Sequence, residues 1–162
     1  MSLRKFVRKE MLARAKHLTR RGEVRRYLAE HEDAKINVGS GRNLVPGWLN
    51  VDLYPFPQAT QLNVAKPWPI PSNAFKACIC EHVIEHMPKE SAQVMLSETH
   101  RTLQPGGLVR IVTPDLHFFG ELLTGGPVNE AAYLQWFRDR TTPESSLCDA
   151  VNAVFYEHGV CR

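Results

Sequence analysis

The chain predicts an α/β fold, a mostly parallel sheet flanked by helices. Three observations predict it. Short apolar runs of strand length alternate with longer amphipathic stretches, most of the gaps between runs are long enough for crossovers, and polar residues suited to ligand binding fall at the ends of the runs. The 162 residues amount to one domain, and 43% hydrophobic with 23% charged residues is ordinary for a globular chain, so neither a disordered polyelectrolyte nor a chain dominated by membrane spans is implied. No stretch reaches the run of roughly eighteen apolar residues that a spanning helix needs.

The first element is a basic helical segment over residues 1–33, set before a domain over 34–162. Leu3, Phe6, Val7, Met11, Leu12 and Ala15 recur at helical spacing, as do Val24, Tyr27 and Leu28, and Gly22 breaks or bends the run. Residues 1–33 hold ten Lys and Arg against five Asp and Glu, while the remainder holds ten against twelve. A basic amphipathic helix can pack its apolar stripe on the domain, lie on an anionic membrane or bind nucleic acid. Packing is preferred, peripheral membrane contact through residues 1–30 stays open, and nucleic acid is disfavoured.

The strands follow in order. "KINVGSG" is a short apolar strand running into a Gly-Ser-Gly turn, and "WLNVDLYP" is a second ending in Asp52. Only "RNLVPG" lies between those stretches, too short for a standard crossover helix. A proline-rich loop then holds "TQLNVA", a candidate edge strand. "AFKACIC" is a buried strand, "EHVIEHMPKESAQVMLSETHRTL" a helix with a break near Pro88, "PGG" a turn and "LVRIVTPD" a further strand. "LHFFGELLTGG", "NEAAYLQWFRDR" and "TPESSLCDAVNAVFYEHG" are helical. Cys78 and Cys80 are assigned to opposite faces of their strand and, with Cys148 and Cys161, are read as reduced thiols of a cytoplasmic protein, since no zinc-ribbon or C-x-x-C spacing occurs.

Ligands of open parallel sheets bind at the carboxyl ends of the strands. Three features fall there: Gly39-Ser40-Gly41, whose glycines let backbone approach a ligand; Asp52, whose two acceptor oxygens suit the hydroxyls of a ribose; and Cys80-Glu81-His82. The third position after Gly41 is Leu44, so no G-x-G-x-x-G is completed, and Asp52 stands only thirteen positions after Gly39. This disfavours a dinucleotide and a NAD-linked oxidoreductase, and favours a nucleoside without a pyrophosphate.

"INVGSG", "PGWLNVD", "PSNAFKACICEHVIEHM" and "LQPGGLVRIVTPD" stand in that order over roughly residues 34–120. On these motifs the sequence resembles the class I S-adenosylmethionine-dependent methyltransferases, a Rossmann-like fold, and among them the type 11 group. The resemblance implies S-adenosyl-L-methionine as cofactor and methyl transfer as reaction. It places Val38, Gly39, Ser40 and Gly41 along the methionine part, Asp52 on the ribose, and Leu53 beside the adenine. It further sets Leu62, Asn63 and Val64 near the adenine amine, and Cys80, Glu81 and His82 at the closing edge of the pocket. The chain departs from the family pattern at Asn37 and Asn63, where acids are usual. It also reads as ending before the C-terminal strand hairpin of the full methyltransferase fold, which leaves a sheet edge open to a second copy. A catalytically impaired cofactor-binding remnant or scaffold is therefore an alternative.

His82-Val-Ile-Glu85-His86 also spells H-x-x-E-H, the pattern of one zinc-protease class. On a helix its two histidines would share a face, but none of Glu98, Glu121, Glu130 or Glu144 is marked out by context as the third ligand. A zinc hydrolase is the less favoured alternative, and no metal is expected. For the transfer itself His117 is the candidate base, beside Asp115, which is read as a helix cap; His158 is a further candidate. The acceptor is expected to be a small molecule or a glycan- or lipid-linked group.

Overall fold

In the computed structural model, residues 20–156 are described, except Val128. The predicted helical repeat over Leu3–Ala15, and His158 and Cys161, lie outside the described residues. Residues 20–30 are helical (α1). Strands β1 (Lys35–Val38), β2 (Leu49–Asp52) and β3 (Thr60–Gln61) follow, then β4 (Phe75–Glu81), a 3₁₀ turn (Ile84–His86), α2 (Lys89–Thr102) and β5 (Leu103–Val112). Helices α3 (Leu116–Thr124), α4 (Glu130–Arg138) and α5 (Leu147–Tyr156) complete the chain as described.

The five strands form one sheet in the order β3-β2-β1-β4-β5, every pairing parallel. The chain leaves β1 toward β2 and β3, then returns to the other side of β1 for β4 and β5, so the order reverses between β1 and β4. That reversal opens the crevice where ligands of such sheets bind. Ile36, Val38, Val51, Phe75, Cys78, Cys80 and Met95 form the centre of the core, and α1 docks on it through Val24, with Tyr27 and Leu28 packed alongside.

Three sequence expectations are corrected. The helix read from Glu81 onward begins at Lys89, because Pro88 lacks an N–H and cannot sit inside a helix; it occupies the N-terminal boundary position instead. Residues 82–87 form a loop with a single 3₁₀ turn. Cys78 and Cys80 share one face of β4, since residues two apart always do; both are buried free thiols. The "PGG" turn lies within β5 as an irregularity: Phe75 pairs with Leu103 but Ala77 with Leu108, so the extra β5 residues bulge out.

The expected absence of a crossover helix between β1 and β2 is observed. Residues 39–48 make the crossing as turns, held by two asparagines rather than by a helix. Asn50 uses its whole amide: Oδ1 accepts from Val45 N–H at 2.8 Å and from Asn37 Nδ2 at 2.9 Å. Its Nδ2 donates to the Val45 and Trp48 carbonyls at 3.0 and 3.1 Å. Asn37 also donates to the Asn43 carbonyl at 3.1 Å. In a buried setting each such bond matters chiefly because leaving it unmade costs about 1–3 kcal/mol.

Candidate functional site

The carboxyl end of β1 runs into Gly39, whose φ of +68° suits glycine. A side chain at Gly39 would collide with Val83, so the turn is compatible only with hydrogen at that Cα. Ser40 N–H donates to the Val51 carbonyl at 3.0 Å, extending the β1–β2 pairing by one bond. The Ser40 hydroxyl is buried and, among the described residues, has no hydrogen-bond partner.

Asp52 ends β2 and is buried. Its Oδ2 accepts from Gly41 N–H at 2.9 Å and its Oδ1 from Tyr54 N–H at 2.8 Å. One carboxylate thereby fixes the glycine turn on one side and the chain after β2 on the other. A carboxylate has roughly four acceptor positions, so two remain for a ligand. The Asp52 carbonyl accepts from Leu62 N–H at 2.7 Å, tying the β3 exit to the same spot.

A cavity of about 380 Å³ opens beside this turn, lined by Asn37, Gly39, Ser40, Asn43, Leu44, Val45, Ile79 and Glu81. Its size falls within the roughly 300–1,000 Å³ of small-molecule sites. Of the residues singled out in the sequence, Gly39, Ser40 and Glu81 line it, and Gly41 and Asp52 adjoin it through their hydrogen bond. Leu53 follows Asp52 with half of its surface exposed. Asn63 closes a local turn, its Oδ1 accepting from Ala65 N–H at 3.0 Å. Val38, Leu62, Val64 and Cys80 are buried core residues whose side chains do not line the cavity. Burial pushes the Cys78 and Cys80 thiols up to about 12, the neighbouring Cys78, Glu85 and Glu81 adding to the effect at Cys80.

Asn43, Leu44, Val45 and Ile79 line the cavity and were not singled out; Ile79 carried a readable signal, as the outward-facing member of the strand that ends in Glu81. Asn37, noted only as a missing acid, has a structural reason for being an amide. It faces two oxygen acceptors, Asn50 Oδ1 and the Asn43 carbonyl, and a carboxylate there would repel both.

Glu81 pairs with Arg110 of β5. His82 follows in a left-handed conformation, φ +54°, and its Nδ1 lies 3.2 Å from Glu85 Oε1. The segment is not α-helical, so His82 and His86 do not share a helical face, and the premise of the H-x-x-E-H zinc reading is not met. Among the described residues no three His, Cys, Asp or Glu side chains gather in a metal-binding cluster. Asp115 caps α3, Oδ1 accepting from His117 N–H at 2.8 Å. The His117 side chain is 81% exposed and lies 3.4 Å from Glu121 one turn on.

A parallel sheet reversing between β1 and β4, with a glycine turn on β1 and an acid at the end of β2, is a Rossmann-like α/β fold. A family model described as a methyltransferase domain matches residues 7–111, well over half of the chain. The chain belongs to that family, the class I methyltransferases, which generally use S-adenosylmethionine. No curated protein matches the chain. Among the described residues no helix is long and apolar enough to cross a membrane.

Proposed function

We propose that the chain binds S-adenosyl-L-methionine in the crevice beside Gly39–Gly41 and Asp52 and transfers its methyl group to an acceptor entering from the β4 and β5 side. The observation that carries the reading is the Asp52 carboxylate. It is buried, locked by two backbone N–H groups, and left with two unused acceptor positions beside a glycine turn. The buried Ser40 hydroxyl supports it, because a buried polar group without a partner costs about 1–3 kcal/mol unless a ligand or water satisfies it.

When bound, the cofactor supplies an electrophilic methyl group on a sulfonium. The protein's work is positioning, which accounts for much of the barrier reduction in direct displacements. Asp52 would hold the ribose hydroxyls, and Gly39 and Gly41 would let backbone come close. Ser40 would donate to a polar group of the methionine part, and Glu81 would face the cationic end. Leu53 would lie along the adenine, with Asn63 near its amine.

Titration of S-adenosylhomocysteine by calorimetry tests the reading. Micromolar binding, about −8 kcal/mol, is expected for the intact chain and its loss for Asp52→Ala with a circular-dichroism spectrum unchanged. No binding to the intact chain would remove the proposal and leave the chain a fold without its cofactor.

A further inference from the structure

We propose that His82 is the general base of this site, oriented by Glu85, and that the methyl acceptor is therefore a hydroxyl compound, an alcohol or phenol. The inference rests on the methyl-transfer reading above and assigns a proton-transfer role within it.

The argument begins with the backbone. β4 ends at Glu81, and the next residue adopts φ +54° although it carries a Cβ. That conformation costs about 1–2 kcal/mol, and neither glycine nor asparagine stands there to lower it. The surrounding structure holds it: His82 N–H donates to the Val112 carbonyl at 3.0 Å, and Val83 and Ile84 pack on the core immediately after. Strain of this kind, fixed by its surroundings, concentrates where a side chain must be aimed.

The 3₁₀ turn then brings Glu85 back beneath the ring. Its side chain is 7% exposed, whereas the His82 side chain is 62% exposed. Glu85 Oε1 lies 3.2 Å from Nδ1. An ionised carboxylate only accepts hydrogen bonds, so Nδ1 carries the proton and the lone pair of the neutral ring is at Nε2. Among the described residues Nε2 has no partner; His82 is not itself a lining residue of the cavity, but it stands between Glu81, which lines it, and Val83, whose side chain packs against the Gly39 turn. A sheltered carboxylate fixing the tautomer of an open imidazole is the arrangement of an oriented general base.

The acceptor class follows from proton accounting. An acceptor hydroxyl gives its proton to Nε2 as its oxygen gains the methyl carbon; the electron pair of the broken carbon–sulfur bond stays on sulfur. Glu85 offsets the charge of the imidazolium, whose proton then passes to solvent. A carboxylate or thiolate acceptor arrives without a proton to remove, and a neutral amine attacks through its nitrogen lone pair with its N–H bonds intact, so none of these needs a base in the transferring step. Glu85 is a positioning residue, because it acts through His82.

The test uses the full chain and S-adenosylhomocysteine as probe. In the saturated complex, long-range ¹H–¹⁵N spectra are expected to show His82 as the Nδ1–H tautomer in wild type and as a mixture in Glu85→Ala. Diethyl pyrocarbonate is expected to modify His82 in that same complex, since the lone pair must stay open to an acceptor. His82→Gln is expected to bind the probe within about threefold of wild type. An Nε2–H or mixed tautomer in wild type, full protection of His82 by the probe, or a tenfold loss of probe affinity in His82→Gln would each overturn the proposal. Failure of the wild-type chain to bind the probe would instead overturn the methyl-transfer reading, and the base with it.

Discussion

Gly39 and Gly41 stand two residues apart in one turn, both at positive φ, and they predict different costs. At Gly39 an added Cβ meets the Val83 side chain, which is branched and packed on the core; at Gly41 nothing lies within 4 Å. Gly41→Ala should therefore cost only the backbone term, about 1–2 kcal/mol. Gly39→Ala should cost about 1–3 kcal/mol more from overpacking, and Val83→Ala in the same chain should recover part of it; urea melts of the four proteins check this. The two buried thiols make a second prediction. Both rise from 9.0 to about 12, so above pH 9 the unfolded chain loses these protons while the folded chain keeps them. Stability from the thiols is complete below pH 9 and falls as pH rises toward 12, by about 1 kcal/mol per thiol at pH 10. Melts of the wild type against Cys78→Ala/Cys80→Ala should show the slope reduced. At this scale the sequence was informative for Asp52 and the glycines, whose chemistry depends on residue type and strand position. It was silent on Asn50 and Asn37, whose roles depend on facing each other across β1 and β2, and strand register is not written in either residue alone.

Among the elements, α2 does more than flank the sheet. Glu98 accepts from Trp68 N–H at 2.7 Å and from Arg101, and Arg101 donates to the Ile70 and Trp68 carbonyls at 2.9 and 3.3 Å. Two side chains of one helix thus hold a loop that, with prolines at 67, 69 and 71, has few N–H groups of its own. The Arg101 guanidinium holds the Glu98 carboxyl below its usual value. Its stabilising share is therefore present above the ordinary glutamate range and lost as pH falls through the depressed value. Arg101→Ala should destabilise by about 2 kcal/mol, with the largest change of hydrogen exchange in residues 66–72; an effect under 0.5 kcal/mol would show the clamp to be incidental. The sequence announced both the loop and the helix, because proline and helical periodicity are local signals. It placed the helix start early because His82–Met87 has helical composition, and only the Pro88 boundary and the anchoring of His82 to β5 stop it.

For the molecule as a whole, the order of elements was legible: the apolar runs became strands, and the short β1–β2 connection stayed free of helix. The unevenness of burial was not. Among the described residues β5 has a neighbour, β4, on one side only, and Leu108, Val109 and Ile111 are exposed, Leu108 by 73%. Apolar residues on both faces read as a central strand, yet here they lie at an edge. Exposed apolar edges invite association, so sedimentation velocity should show concentration-dependent self-association, reduced by Leu108→Lys. Because that side chain is exposed, the substitution should change stability by less than about 0.5 kcal/mol. Sedimentation independent of concentration in both proteins would show the edge to be inert.

The double grip of Asp52 on Gly41 and Tyr54 has a consequence in time as well as in energy. The turn and the chain after β2 are already fixed to each other, so on the proposed reading a nucleoside arriving at Asp52 would find its seat assembled. Encounter then requires no slow rearrangement of these segments, and association should be a single phase whose rate grows in proportion to ligand concentration. Differences in affinity among ligands sharing the ribose would then lie in how long each stays rather than how fast it arrives. On that reading, where fresh cofactor is abundant, its exchange for the spent one would be paced by departure.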